Sequence, residues 1–349
     1  MRLGLNLGYW GAGNDAANLE LAKEADRLGF SVVWAAEAYG SDAPSVLSWV
    51  AAHTERVDVG SAIMQIPART PAMAAMTAAT LDTLSGGRFR MGLGVSGPQV
   101  SEGWHGVRFD KPLARTREYV EIVRTALRRE RLRHEGEHYV LPLPDGPGKA
   151  LTLTVHPVRE HIPLYLAAVG PKNVQLAGEI ADGWLALFFS PEQAGESLDL
   201  LRAGREKAGK GLDGFDVVPT APLVVGEDWR ACADLVRPYA ALYVGGMGSR
   251  QKNFYNDLAV RMGYAAEAAE VQERYLAKDY AGAMAALPLE FLDATSLLGP
   301  VGRIADRMAA YAQAGVTTLT VSPMLQDLAQ GTAALRAASE ALDLAGVGS

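Results

Sequence analysis

Two hydrophobic rhythms take turns along the chain. Short unbroken apolar runs of strand length alternate with stretches where apolar residues return every three or four positions. The clearest instance lies within residues 56–99. Residues 57–66 are almost continuously apolar, as expected of a strand covered on both faces. Pro67 ends the run. Thr70 and Pro71 then make a helix start, with a hydroxyl to accept a free backbone N–H and a proline at the first helical position. Met73, Thr77, Leu81 and Leu84 recur at four-then-three spacing and predict the face this helix turns to a core. Gly86 and Gly87 close it, because glycine takes the left-handed conformation without a Cβ penalty. Residues 90–95 read as a second buried strand. Strand, helix, strand with short joints is one βαβ unit, whose strands lie parallel.

The same alternation runs through the chain. Strands are predicted at 2–7, 31–36, 57–66, 90–95, 163–169, 184–189, 216–225 and 317–321. Helices are predicted at 16–28, 44–54, 71–85, 113–129, 172–180, 191–208, 229–239, 301–314 and 325–344. Residues 8–13 form a Gly-rich loop holding Tyr9 and Trp10. Residues 96–112 read as a long loop, and 132–153 as an excursion with a β-hairpin around Gly136. Residues 242–298 have many alanines, a helical bias and no clear order. The expected fold is α/β, an eight-stranded (β/α) TIM barrel with insertions. A single domain would cover 1–349, with excursions near 98–112, 132–160 and 245–298.

Composition narrows the classes. With 349 residues, 49% of them hydrophobic, the chain can bury a large core. A net charge of −7 argues against a nucleic-acid surface. Cys232 is the single cysteine, so neither a disulfide nor a cysteine-based zinc site is expected. No basic segment followed by a long apolar one opens the chain, and no apolar run reaches membrane-spanning length. A reducing cytoplasm is the expected setting.

In a (β/α) barrel the chemistry sits at the carboxyl ends of the strands. That gathers Tyr9, Trp10, residues 37–42, 62–67, 96–105 and 168–173, and Ser190 around one mouth. Gly92, Gly94 and Gly97 spell the dinucleotide fingerprint, which needs a helix opening on its glycines. Pro98, Gln99 and a loose loop are expected there instead. Small residues at that strand end would let a flat ring lie close. Residues 204–211 nearly spell a phosphate-binding P-loop, but Gly211 stands where Ser or Thr is needed, and a helix end is the better reading. His134 and His138 bracket Gly136 and suit a solvated hairpin better than a metal site. No Gly-x-Ser-x-Gly elbow occurs. At Ala168, Val169, Gly170, Pro171, Lys172 and Asn173 a strand turns into a helix beside a lysine, a setting that favours a phosphate. Glu37 and Asp42 are acids at a strand end. Each could donate a proton or anchor a hydroxyl, and Asp42 could equally cap the helix that follows. Trp104 and His105 lie in a loop that could close over a ligand or simply anchor itself.

Taken together, VVWAAEAYGSDA, the stretch from GSAIMQIPARTPAM through LDTLSGGRFRMGLGVSGPQVSEGWHG, PLYLAAVGPKN and EIADGW resemble the luciferase-like superfamily of flavin and deazaflavin enzymes. They most resemble its coenzyme F420-dependent oxidoreductases, in a subgroup typical of actinobacteria. The likeness spans residues 3–189 and weakens afterwards. It implies an insertion-bearing TIM barrel, usually a homodimer, with the deazaflavin across the carboxyl ends of the strands. It implies a cis peptide at Ala62–Ile63 forming a bulge behind the ring. Glu37, Ala38, Gln65, Gly94, Ser96, Gly97 and Gln99 would lie by the ring or its tail, and residues 168–173 would hold the phosphate. Two departures stand out. Related dehydrogenases carry an acid followed by His where this chain has Glu37 and Ala38, and a glutamate where it has Gly97. The resemblance therefore implies reduction of an activated alkene, imine or carbonyl by reduced F420 rather than alcohol oxidation. The proton would come from Glu37, Tyr39, His105 or water. An FMN-dependent monooxygenase and a non-catalytic F420-binding protein remain the alternatives.

Overall fold

The computed structural model describes residues 1–10, 15–324 and 327–348. Residues 11–13 of the expected Gly-rich loop, and Leu325 at the expected start of the last helix, lie outside the described residues. Eight parallel strands close into a barrel: β1 (Arg2–Asn6), β2 (Val32–Ala35), β3 (Asp58–Ser61), β4 (Phe89–Gly94), β5 (Leu164–Ala167), β6 (Gly183–Leu187), β7 (Asp216–Val225) and β8 (Thr318–Pro323). Each pairs with the next in sequence, and β8 pairs with β1 to complete the ring. The predicted TIM barrel is the fold observed.

The barrel interior is filled rather than open. Trp34 lies across its centre, edge-on to Tyr165 at 5.4 Å between ring centroids, and Val32, Leu185 and Val218 pack with them. A Cβ on Gly60 would fall 2.3 Å from the Trp34 ring, so glycine is what admits the indole. At the amino end, the Arg90 guanidinium meets Asp58 at 2.7 Å and Asp216 at 3.3 Å.

Helices wrap the outside: α1 (Asp15–Leu28), α2 (Ala43–Ala51) and α3 (Pro71–Leu84). As the sequence suggested, the Thr70 hydroxyl caps α3 by accepting from Met73 N at 3.2 Å. The predicted apolar stripe holds only at Leu81, however. Met73 is half exposed and Leu84 is 63% exposed, while Ala74, Ala75, Ala78, Ala79 and Leu81 form the buried face. Alanines let the helix approach the strands closely, and the larger side chains are left outside. The LDTLSGGR segment at its end is a staple. Arg88 donates to the carbonyls of Ala51, Thr54, Val57 and Ser85, and fully buried Asp82 holds Arg159 of the later excursion.

Further differences have local causes. The single strand expected at 57–66 breaks after Ser61, and Met64–Gln65 resumes pairing beyond a bulge. The expected loop after Gly97 contains a short helix, α4 (Pro98–Gly103), with Gly97 at its N-cap and Pro98 in its first turn. A helix therefore does open on the Gly92, Gly94, Gly97 motif, but within a barrel rather than a doubly wound sheet. The predicted helix at 191–208 is a short 3-10 turn followed by α7 (Gly195–Lys207). Residues 204–211 are the end of that helix, as read. The hairpin around Gly136 is present, pairing His134 with Leu141 and Glu135 with Val140.

α5 (Pro112–Leu127) and α6 (Pro171–Ile180) follow β4 and β5. After β7 the chain makes a helical excursion before it resumes the barrel. It contains α8 (Trp229–Ala241), α9 (Phe254–Arg261), α10 (Ala265–Leu276), α11 (Tyr280–Ala285) and α12 (Leu289–Ala294). These helices share their own core, built on Val236, Val244, Val271, Phe291 and Leu292, with Phe188 and Val224 contributed from strand ends. α8 packs on β7 and also contributes Cys232, Ala233 and Val236 to this second core. α13 (Val301–Gln313) and α14 (Leu328–Ala345) complete the outer layer.

Candidate active site

The site begins where β3 loses register. Gly60 pairs with Arg90, and pairing returns at Met64 and Leu93, leaving one extra residue on the β3 side. The Ser61 hydroxyl bridges the gap, donating to Gly92 O at 2.8 Å and accepting from Gly92 N at 2.9 Å. The Ala62–Ile63 peptide is cis. Ala62 and Ile63 pack on the cluster of Trp34, Tyr165 and Leu185, with Ala167 alongside. A Cβ on Gly94 would fall 2.8 Å from Ile63 Cδ1, so this glycine keeps a flat apolar surface at the strand end.

Gln65 ties three strand ends together. Its Nε2 donates to Ala38 O, and its Oε1 accepts from Ser96 Oγ at 2.7 Å. Ser96 adopts the left-handed conformation, φ 62°, which turns β4 into α4. Gln99 folds back beside Gly97.

Glu37 is placed here too, but not as a free acid. Its two oxygens accept from Arg69 Nη1 and Nη2, each at 2.7 Å. They also accept from the amides of Ala43 at 3.2 Å and Gln65 at 3.1 Å. Its side chain is only 7% exposed. The Glu37 carboxylate thus accepts four hydrogen bonds, two of them from a guanidinium. Asp42 caps α2, accepting from Ser45 N at 3.0 Å, and also meets Arg69 at 2.6 Å. Burial opposes its ionisation, but the Ser45 bonds and the Arg69 charge outweigh that and hold its carboxyl below the usual range. Tyr39 is 68% exposed. His105 is half-buried with Nε2 unpartnered among the described residues, as is Trp10 Nε1. Neither Tyr39 nor His105 joins the Glu37–Gln65–Ser96 network.

A cleft of about 340 Å³ opens beside the β5 end, lined in part by Ala168, Val169, Pro171, Phe188, Ser190 and Arg261. Gly170 is the N-cap of α6. Lys172 is exposed, and no ion pair holds it among the described residues. Arg261, from α9, donates to Val169 O at 2.9 Å and has no carboxylate partner among the described residues. The first turn of α6 at Pro171 and the Arg261 guanidinium border the cleft and favour an anion, although Glu196 also lines it and Lys172 is not part of its lining. Sequence reasoning missed Arg261, which lies in the segment that it could not order. It also missed the ring cluster of Phe188, Tyr239, Tyr243 and Tyr255, which belongs to the second core beyond the β6 end. The four-residue spacing of Tyr239 and Tyr243 was the available signal. Among the described residues no group of three or more His, Cys, Asp or Glu could hold a metal, and no helix is long and apolar enough to cross a membrane.

Residues 9–318 match the sequence model of a family described as luciferase-like monooxygenase. The chain belongs to the luciferase-like family. This luciferase-like chain is 44% identical to a Mycobacterium tuberculosis protein provisionally named a coenzyme F420-dependent oxidoreductase, over 96% of this chain and 99% of that one. It is 28% identical to the 5,10-methylenetetrahydromethanopterin reductase of Archaeoglobus fulgidus, over 87% and 89% of the two chains. In structure it resembles the coenzyme F420-dependent tetrahydromethanopterin reductase of Methanopyrus kandleri, with TM-score 0.83, 23% identity and 97% of each chain covered. That last likeness supports the barrel fold of this luciferase-like chain.

Proposed function

We propose that the chain is an F420-dependent oxidoreductase that reduces an activated alkene, imine or carbonyl with hydride from the reduced coenzyme. The observation that carries this reading is the pairing of two surfaces. One is the flat apolar wall of Ala62, Ile63 and Gly94; the other is the anion-favouring cleft between the β5 end and Arg261. A planar ring with a phosphorylated, carboxylate-bearing tail needs both. When bound, the deazaflavin supplies hydride at its ring carbon five. The chain's residues do the remaining work. The bulge backs the ring, Gln65 and Ser96 offer polar atoms at its edge, and Ala168, Val169, Gly170, Pro171, Lys172 and Asn173 with Arg261 neutralise the tail. Glu37 braces Arg69 and the bulge through the Gln65 amide. Gly97 and Gln99 border the tail side.

Cys232 is a free, buried thiol, in keeping with a reducing cytoplasm. Trp49 on α2 and Met73, Met76 and Leu84 on α3 stand exposed on neighbouring helices, and this face supports a homodimer. Light scattering at micromolar concentration checks that assembly; a monomer there removes it. The function is tested by anaerobic oxidation of reduced F420 with a panel of enones, imines and carbonyls. Turnover on part of the panel is expected. Tight F420 binding with no turnover across it would favour the binding-only alternative.

A further inference from the structure

The cleft beside β6 is more than an anion-favouring rim. Its place follows from the alternation of β6. Leu185 points inward and packs with Trp34, Tyr165 and Val218 in the barrel interior. Trp184 and Ala186, on either side of it, point outward into the core beneath the helices, and both line the cleft. Phe188 then takes a left-handed backbone, φ 52°, and the chain divides its rings. Phe188 enters the core of the excursion, and Phe189 enters the outer core of the barrel. The cleft lies on this seam, outside the barrel wall. Ala62 and Ile63, the wall proposed for the coenzyme ring, pack on the barrel interior. The two places are on opposite faces of the sheet.

Its surroundings are held in place. A Cβ on Gly178 would fall 2.4 Å from Leu201 O, and one on Gly204 would fall 2.1 Å from Gln175 O, so glycines let α6 and α7 touch backbone to backbone. The first turns of the same two helices line the cleft. α9 is tied across it twice: Gln193 Nε2 donates to Met262 O at 3.1 Å, and Arg261 donates to Val169 O at 2.9 Å. Inside, Trp184 spends its indole N–H on Ala168 O at 2.9 Å and meets Phe189 edge-on at 6.2 Å. Buried Ser190 spends its hydroxyl on Glu192. The walls they leave are apolar and aromatic, with Val174, Leu200 and Leu258 completing them. A volume of about 340 Å³ falls in the range of small-molecule pockets. Charge sits at the rim. Arg261 spends only one of its five N–H groups among the described residues, and it is the one cation in the lining. Glu196, in the first turn of α7, is the one acid, and no ion pair joins the two among the described residues.

We infer that this seam is a second ligand site, and that it takes a compact apolar molecule bearing one carboxylate. The aromatic walls remove the apolar body from water, and the carboxylate stays at the rim on the remaining N–H groups of Arg261. A second negative charge would meet Glu196 with no cation left to pair with it. A cation would meet Arg261. An uncharged molecule would leave the guanidinium unused. A coenzyme tail carrying several acidic groups can use the rim but not the walls. The site therefore goes beyond the reductase reading and stands without it.

The test uses the full chain without coenzyme, with isotope-labelled nitrogen in its six tryptophan indoles, observed by NMR. Trp184→Phe assigns the indole signal of the cleft. 4-Phenylbutyrate is titrated alongside acetate, 4-phenylbutanol and phenylsuccinate, which lack the apolar body, lack the charge and add a second carboxylate. The Trp184 signal is expected to move saturably with 4-phenylbutyrate, while that of Trp34 in the barrel interior stays in place. Affinity for 4-phenylbutyrate should exceed that for each of the other three by at least about tenfold. Arg261→Met should weaken binding of the acid about tenfold and leave 4-phenylbutanol unchanged. Glu196→Gln should strengthen phenylsuccinate more than 4-phenylbutyrate. Arg261 and Glu196 are both exposed, so these two variants keep the fold. An unmoved Trp184 signal, acetate or the alcohol binding as tightly as the acid, or an Arg261→Met variant that weakens acid and alcohol equally overturns the assignment.

Discussion

Replacing Glu37 separates a brace from a proton donor. The carboxylate is 7% exposed and faces Arg69, itself 14% exposed, through two 2.7 Å bonds. In Glu37→Ala the guanidinium keeps only Asp42, which is half exposed, and the Gln65 amide loses its acceptor. Removing one partner of a buried ion pair costs about 3–5 kcal/mol, because the other charge stays behind. With an unfolding entropy of roughly 2 cal/mol/K per residue over this chain, a loss of about 4 kcal/mol lowers Tm by about 5 °C. Glu37→Gln keeps the shape and one good acceptor, and should lose about half as much. Adding Arg69→Met to Glu37→Gln should recover part of the loss, since no buried charge is then left alone. Differential scanning calorimetry reads all three variants, and steady-state kinetics across pH accompanies it. The brace predicts lower stability, weaker F420 binding and an unchanged shape of the kcat–pH profile. The reasoning fails if Glu37→Gln melts like the parent chain while kcat collapses and one limb of its pH profile disappears.

Three further outcomes follow from other parts of the fold. Gly94→Ala should fold, because the atom that its Cβ meets is the flexible end of Ile63, but the displaced side chain should weaken F420 binding at least about tenfold by calorimetric titration. Asp82→Asn should free the strap that Arg159 anchors; limited proteolysis within residues 142–160 should speed up, and an unchanged cleavage pattern would count against the anchor. Glu24 is held at a pKa of about 2, first by its hydrogen bond from Arg27 and then by Arg336 of α14, against an opposing burial effect. Its folded pKa lies below the unfolded value, so its stabilisation is present above about pH 4.5 and is lost as pH falls toward 2. Glu24→Gln should therefore flatten the fall in Tm between about pH 5 and pH 3; parallel curves for both proteins would rule this out.

Much of the barrel was legible because most strands are short, largely apolar runs and each joint carries its own punctuation. Thr70–Pro71 and Gly86–Gly87 are local signals that tertiary context did not override. The α3 face was misread because the spacing rule weighs size, whereas close packing against strands selected Ala74, Ala75, Ala78 and Ala79. The region 242–298 resisted reading because its helices are short and pack on one another, so no long amphipathic period develops. For the site, position was readable and role was not. Glu37 stands at the strand end that the barrel geometry requires. That it is consumed by Arg69 depends on a contact 32 residues away, which no local pattern encodes. Arg261 and the tyrosines of the second core come from the excursion for the same reason.

The reading that this barrel mouth is built for a deazaflavin is tested most directly by parallel equilibrium titration of the full chain with F420 and with FMN. Binding of F420 that exceeds binding of FMN, and that weakens in Arg261→Ala, is the expected result. Tighter binding of FMN, indifferent to Arg261, would contradict it.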